Sequence, residues 1–153
     1  MTAPVASAGM LIRRPVAEVF EAFVDPGITT QFWFTRADGR LEVGKTVTWE
    51  WEMYGASAEV DVLEMEAERR ILVAWPGEHG PTTVEWRFTP LGGGTFVSIT
   101  NSGFAGDVDQ MVQQAIDATE GFTLVLAGLK AYLEHGVRLG LVADRFPADI
   151  ATR

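Results

Sequence analysis

Cysteine is absent from the 153-residue chain, which excludes thiol catalysis, disulfides and thiolate metal sites and accords with a reducing compartment. Long apolar runs are missing too. No window approaches the ~18 consecutive apolar residues of a membrane-spanning helix, and the opening MTAPVASAGML has no basic stretch leading into an apolar core, the pattern of a secretory signal. Basic residues are scarce: 12 Lys and Arg stand against 21 Asp and Glu, a net charge of −9. That field repels phosphate backbones and anionic headgroups. These absences predict a soluble, cytoplasmic protein with neither nucleic acid nor membrane as partner. Internal repeats and low-complexity segments are also missing, and no cofactor or metal is implied.

What the chain has in quantity is apolar and aromatic surface: 47% hydrophobic residues, with five Trp and nine Phe. Its length suits one domain, 1–153, large enough for a core without disulfides or metal. Large rings at this density either pack together or surround a cavity.

The longest periodic segment is Asp107 to Gly136. Phe122, Leu126, Leu129 and Leu133 recur at steps of four, three and four, which places a ridge along one side of a helix. A second row, Val108, Met111, Val112, Ala115 and Ile116, is expected to extend that side. Asp107 with Gln110 reads as a capping box, and Gly136 as the glycine just past the last turn. Gly121 interrupts the helix as a bend or a notch. The tail after Gly136 (137–153) is apolar, and either folds back on the domain or packs on a partner chain as a homodimer contact.

Upstream, Val5 to Ile12 reads as a strand, and Pro15 suits the start of a helix carrying Val16, Val19, Phe20 and Phe23. Asp25–Pro26 stops that helix, and a second short one is expected over Ile28 to Trp33, bringing Phe32, Trp33 and Phe34 to plug one end of the core. From about Leu41 the period becomes two: Val47, Trp49, Trp51 and Met53 alternate with Thr48, Glu50 and Glu52, as in a half-buried antiparallel strand. Tyr54-Gly55-Ala56 is a hairpin turn. Val60 and Val62 then give way to Leu63 and Met65, a phase shift that signals a bulge. Ile71, Val73 and Trp75, then Val84, Trp86 and Phe88, then Val97 and Ile99 continue the sheet. The order is β-α-α-β(×6)-α, an α+β fold in which a curled antiparallel sheet of about six to seven strands carries two short helices and takes one long C-terminal helix across its concave face.

Gly39 to Thr46 matches G-x-x-x-x-G-K-[ST], but a phosphate loop needs a helix after it so that backbone N–H groups converge on the phosphates. The residues after Thr46 alternate as a strand, so the segment reads as a turn. Glu50, Glu52, Glu59, Asp61, Glu64 and Glu66 read mostly as the wet face of the sheet. His79, in a Pro/Gly loop, and His135, at a helix end, lack the context of a metal site.

The phrases Arg14-Pro15-Val16-x-x-Val19-Phe20-x-Ala22-Phe23-x-Asp25-Pro26, Gln31-Phe32-Trp33, Gly92-Gly93-Gly94-Thr95 and Gly121-Phe122 through Leu133-Glu134 resemble, in order and spacing, the START/Bet v-like helix-grip superfamily (SRPBCC). They are most similar to the branch of the C-terminal domain of activators of the heat-shock-protein-90 ATPase. The resemblance implies a cavity between sheet and helix that holds an apolar or amphipathic small molecule. In related branches it serves cyclases, aromatase-like proteins or lipid carriers. Where bacterial members often carry a His near the end of the last strand, this chain has Asn101, and where they carry a Trp after the helix glycine it has Phe122.

The candidate ligand-binding set is Trp33, Trp49, Trp51, Met53, Trp75, Trp86, Asn101, Phe122 and Leu126. Singly each reads as core; together, under one helix, they are expected to leave a gap in which indole N–H groups and Asn101 orient a ligand. Three functions follow: binding of a hydrophobic, aromatic or lipid-like small molecule; a cyclase-like reaction in the same cavity, in which Asn101 and Asp or Glu side chains at its mouth orient or deprotonate the substrate; or a protein-interaction or chaperone-associated module. No catalytic constellation stands out.

Overall fold

The computed structural model describes residues 2–150. Its elements run β1 (Ala6–Ile12), α1 (Val16–Val24), α2 (Pro26–Thr29), β2 (Arg36–Ala37), β3 (Thr46–Trp51), a 3-10 turn (Glu52–Tyr54), β4 (Ala56–Glu66), β5 (Arg70–Trp75), β6 (Thr82–Leu91), β7 (Gly94–Ser102), α3 (Val108–His135) and α4 (Leu141–Arg145). The expected α+β order is observed, with α4 added. All seven strands join one antiparallel sheet in the order β1-β7-β6-β5-β4-β3-β2. Strands β2 to β7 are a meander, and β1 adds to the far side of β7.

Register explains why the sheet has one dry face. Val47 lies opposite Val60, Val62 opposite Val73, Val73 opposite Val84, Ile71 opposite Trp86, and Trp86 opposite Ile99. All of them are buried. Such rows of β-branched and aromatic neighbours are the unit of sheet stabilisation. The phase shift in β4 is a register break between Val62 and Glu64, which turns Leu63 outward. The opposite face is wet and charged: the Arg70 guanidinium donates to Glu85 Oε2 at 2.6 Å and to Glu64 Oε1 at 3.0 Å across three strands.

Helix α3 lies across the dry face against β1 and β7. The Asp107 carboxylate accepts from Gln110 N–H at 2.8 Å while Gln110 Oε1 accepts from Asp107 N–H at 2.9 Å, and Gly136 closes the helix at φ 66°. Phe122, Val125, Leu126 and Leu129 form its buried stripe. The second row is corrected: Val108, Val112 and Ile116 are exposed, and of the five only Ala115 is buried. Val112 and Ile116 sit about 80° and 120° around the helix from Phe122, beyond a face of ordinary width.

Two further expectations change. Regular helix in the second short segment covers Pro26–Thr29 rather than 28–33, because Asp25 caps it by accepting from Gly27 N–H at 2.9 Å. Hydrogen-bonded turns then carry the chain on, Trp33 N–H reaching Thr29 O at 3.0 Å. Strand β3 stops at Trp51, two residues short of Met53. Gly55, in the left-handed region at φ 60°, closes the 3-10 turn through a bond from its N–H to Glu52 O at 3.2 Å, and Met53 is thrown outward.

Candidate functional site

Trp33 is the hub of the aromatic set. Its ring contacts those of Phe23, Phe34, Trp49, Trp51, Trp75, Trp86 and Phe122 at centroid distances of 4.9–6.4 Å, and lies nearly parallel to Trp75 at 12°. The edge-to-face and offset geometries are those aromatic quadrupoles favour. Trp49 on β3 and Trp86 on β6 are each 1% exposed, and Leu126 of α3 is fully enclosed. The apolar face is therefore closed around these three side chains.

It opens at one end. A cavity of about 650 Å³ lies between α3, the end of β5 with the 76–81 loop, and α4. Trp33, Trp75, Phe122 and Phe104 form much of its apolar wall. Asn101, Thr82 and Gln114 bring polar atoms to it, and Glu78, Asp117, Glu120 and Arg145 bring charge. Gly121 also lines it; a Cβ built on that glycine meets nothing within 4 Å, so the missing side chain is open space in the cavity wall.

Of the nine residues singled out from the sequence, Trp33, Trp75, Asn101 and Phe122 line this cavity. Trp49, Trp86 and Leu126 are core, and half-buried Trp51 stands behind Trp33 and Trp75 at 6.3 and 5.9 Å. Met53, 40% exposed, is outside the site. Residues not foreseen include Tyr54, Thr82, Phe104, Gln114, Val142, Arg145 and Phe146. The apolar character of the 137–153 tail was the signal that this segment folds back, bringing Val142, Arg145 and Phe146 with it.

The tail folds back. The Tyr54 hydroxyl donates to the Val142 carbonyl and lies 3.2 Å from that of Ala143, its ring meets Phe146 edge-on, and Arg145 pairs with Glu120 of α3 while stacking 4.3 Å over the Phe146 ring. Helix α4 thus forms part of the cavity rim, joined to both the sheet and α3. Expected residues 151–153 of the tail lie outside the described residues.

Polar groups in the wall are held by a short chain of hydrogen bonds. Asn101 Nδ2 donates to Thr82 Oγ1 and to Thr83 O, both at 2.9 Å, and the Thr82 hydroxyl donates onward to Trp75 O at 3.3 Å. Gln114 Nε2 donates to Ala105 O at 2.8 Å and Gln110 O at 3.0 Å. Among the described residues no His/Asp/Glu cluster has the grouping of a metal site, and no helix is long and apolar enough to cross a membrane.

A curled antiparallel sheet gripping one long helix beside an aromatic-walled cavity defines the helix-grip, START/Bet v-like (SRPBCC) class. More narrowly, the chain belongs to the family of activator of Hsp90 ATPase homolog 1-like proteins, whose model matches residues 13–134. Among solved structures it is similar to a protein from Staphylococcus saprophyticus, at 33% identity and TM-score 0.75 over 88% of this chain and 95% of that one. DynU16, a protein of the dynemicin biosynthetic locus, shares the fold at 21% identity and TM-score 0.78 over 90% of this chain, which spans 49% of that protein. So does the Aha1 dimer from Colwellia psychrerythraea, at 18% identity and TM-score 0.74 over 89% of this chain and 98% of that one. A search of curated proteins found no match.

Proposed function

We propose that the protein binds a hydrophobic or aromatic small molecule between the sheet and α3. The observation that carries this reading is the cavity of about 650 Å³ walled by Trp33, Trp75, Phe104 and Phe122, a size and lining typical of small-molecule sites. A core of this aromatic content had the means to close on itself, as it does around Trp49 and Trp86. At the α4 end it stays open. Native mass spectrometry with a panel of neutral aromatic compounds is expected to give a one-to-one complex, with quenching of tryptophan fluorescence. Gly121→Trp places an indole into the open space and is expected to abolish the complex while leaving the circular dichroism spectrum unchanged. Binding that survives this substitution would move the site elsewhere.

Cyclase-like chemistry in the same cavity is a second reading, favoured by the carboxylates of Glu78, Asp117 and Glu120 in its wall. A positioned carboxylate close to a bound carbonyl compound can act as a general base. The check is accelerated ring closure, with loss of water, of a model poly-β-ketone; equal rates in the wild type and in a variant with all three residues changed to amides would remove it.

For a protein partner, a second copy of this chain is proposed to meet the exposed Val137 and Leu139 of the tail. Light scattering at rising concentration is expected to show a dimer that Val137→Glu with Leu139→Glu returns to monomer. A monomer at every concentration would end that reading.

A further inference from the structure

The orientation of two buried amides bears on which molecules the cavity accepts. Asn101 and Gln114 are 3% and 8% exposed, and both line the cavity. Each amide nitrogen is committed: that of Asn101 to Thr82 Oγ1 and the Thr83 carbonyl, that of Gln114 to the carbonyls of Ala105 and Gln110. A carbonyl oxygen only accepts, so neither amide can flip without setting oxygen against oxygen. The oxygens Asn101 Oδ1 and Gln114 Oε1 therefore point away from those partners, and no described residue donates to them. They are not enclosed either, since among the described residues the one sealed, unpartnered side-chain polar atom is Trp86 Nε1.

From this geometry we infer that the cavity selects neutral or cationic aromatic molecules that carry a hydroxyl or amino donor, and rejects carboxylates of the same shape. The inference rests on the small-molecule reading above and names its ligand class. The two amide oxygens are fixed acceptors in a mostly apolar wall, and a ligand that covers them without donating leaves them unmet, which is expensive. The indole N–H groups of Trp33 and Trp75 make no hydrogen bond among the described residues, and they can serve the acceptor lone pairs of a hydroxyl. A carboxylate offers no donor to the amides. It would also enter past Glu78, Asp117 and Glu120, with Arg145, the one cation of the wall, already paired to Glu120.

Isothermal titration with 1-naphthol, 1-methoxynaphthalene and 1-naphthoate at pH 7 tests this. The naphthol is expected to bind about tenfold more tightly than its methyl ether, the worth of one well-made hydrogen bond, and the naphthoate most weakly. At least one of Asn101→Leu and Gln114→Met is expected to bring the naphthol down to the level of the ether while changing the ether by less than twofold. Gln114→Met serves if Asn101→Leu, which strips a partner from Thr82 and Thr83, fails to fold by circular dichroism. Equal binding of naphthol and ether, a preference for naphthoate, or a naphthol preference untouched by both substitutions overturns the donor inference and leaves the cavity reading intact. Failure of all three compounds to bind removes the cavity reading, and the donor inference with it.

Discussion

Leu126 is fully enclosed beneath the sheet's apolar face, so Leu126→Ala removes buried methyl groups and leaves a void. The expected loss is about 2–5 kcal/mol, read as a lowered urea midpoint at unchanged slope. Trp86 differs because its indole nitrogen is buried without a partner, a condition that costs about 1–3 kcal/mol. Trp86→Phe, which discards that nitrogen along with some volume, is expected to cost less than Leu126→Ala in the same titration. A larger loss would mean that the nitrogen is bonded in solution. Gly121 lies within α3 with ordinary helical backbone and open space where its Cβ would be. Gly121→Ala is expected to raise stability by about 0.5–1 kcal/mol. This glycine was legible in the sequence as an interruption of the helix, and the structure identifies it as a gap in the cavity wall. Met53 shows the converse: its alternation with Trp49 and Trp51 continued the strand on paper, while Gly55 two residues later had already turned the chain.

The elements are joined by a few specific anchors. Near the C-terminal end of α3 the Glu134 carboxylate accepts from Arg13 N–H at 2.8 Å and from Lys130 Nζ at 2.7 Å, and the same ammonium donates to Leu11 O at 2.7 Å. The helix is thereby fixed to the end of β1. Burial pushes the Glu134 carboxyl up, and hydrogen bonds from Lys130 and Arg13 outweigh it, so its pKa falls below the ordinary 4.5. A carboxyl held low in the folded state adds stability that is full above the unfolded value and disappears as pH falls through the folded one. Glu134→Gln is therefore expected to cost about 2 kcal/mol at pH 7, with a difference from wild type that shrinks below pH 4.5. A gap independent of pH, measured by urea titrations across that range, would assign the effect to packing. The caps of α3 could be read from Asp107, Gln110 and Gly136 because they are local. Its burial pattern was only half legible: Val108, Val112 and Ile116 are as apolar as Phe122 and Leu126, and nothing in the sequence says how far the sheet reaches beneath the helix.

At the scale of the whole molecule, α4 and the residue after it supply part of the cavity wall. Truncation after Gly136 removes Val142, Arg145 and Phe146 from the cavity wall and the carbonyls that hold Tyr54, yet leaves the capped end of α3 and the Glu134 anchor in place. The truncated protein is expected to keep its circular dichroism spectrum while acrylamide quenches its tryptophan fluorescence more strongly, because Trp33 and Trp75 line the opened space. Unchanged quenching would show that α4 does not cover it in solution.

By itself the sequence determined the element order, the caps of α3, the bulge in β4, the dry and wet faces of the sheet, and the helix-grip class with its family. The class and family came from the resemblance of several phrases to known relatives; the rest follows from chemistry local to a segment: a period of two or of 3.6, a capping side chain, a glycine just past a helix end. Only the tertiary structure decided which aromatic rings became wall and which became core, because that depends on where α3 crosses the sheet and where the tail comes to rest. Trp86 is sealed against Phe122 of α3, and Trp49 against Trp33 and Phe34 on the β3 side; Trp33, Trp75 and Phe122 line the space that α4 only partly covers.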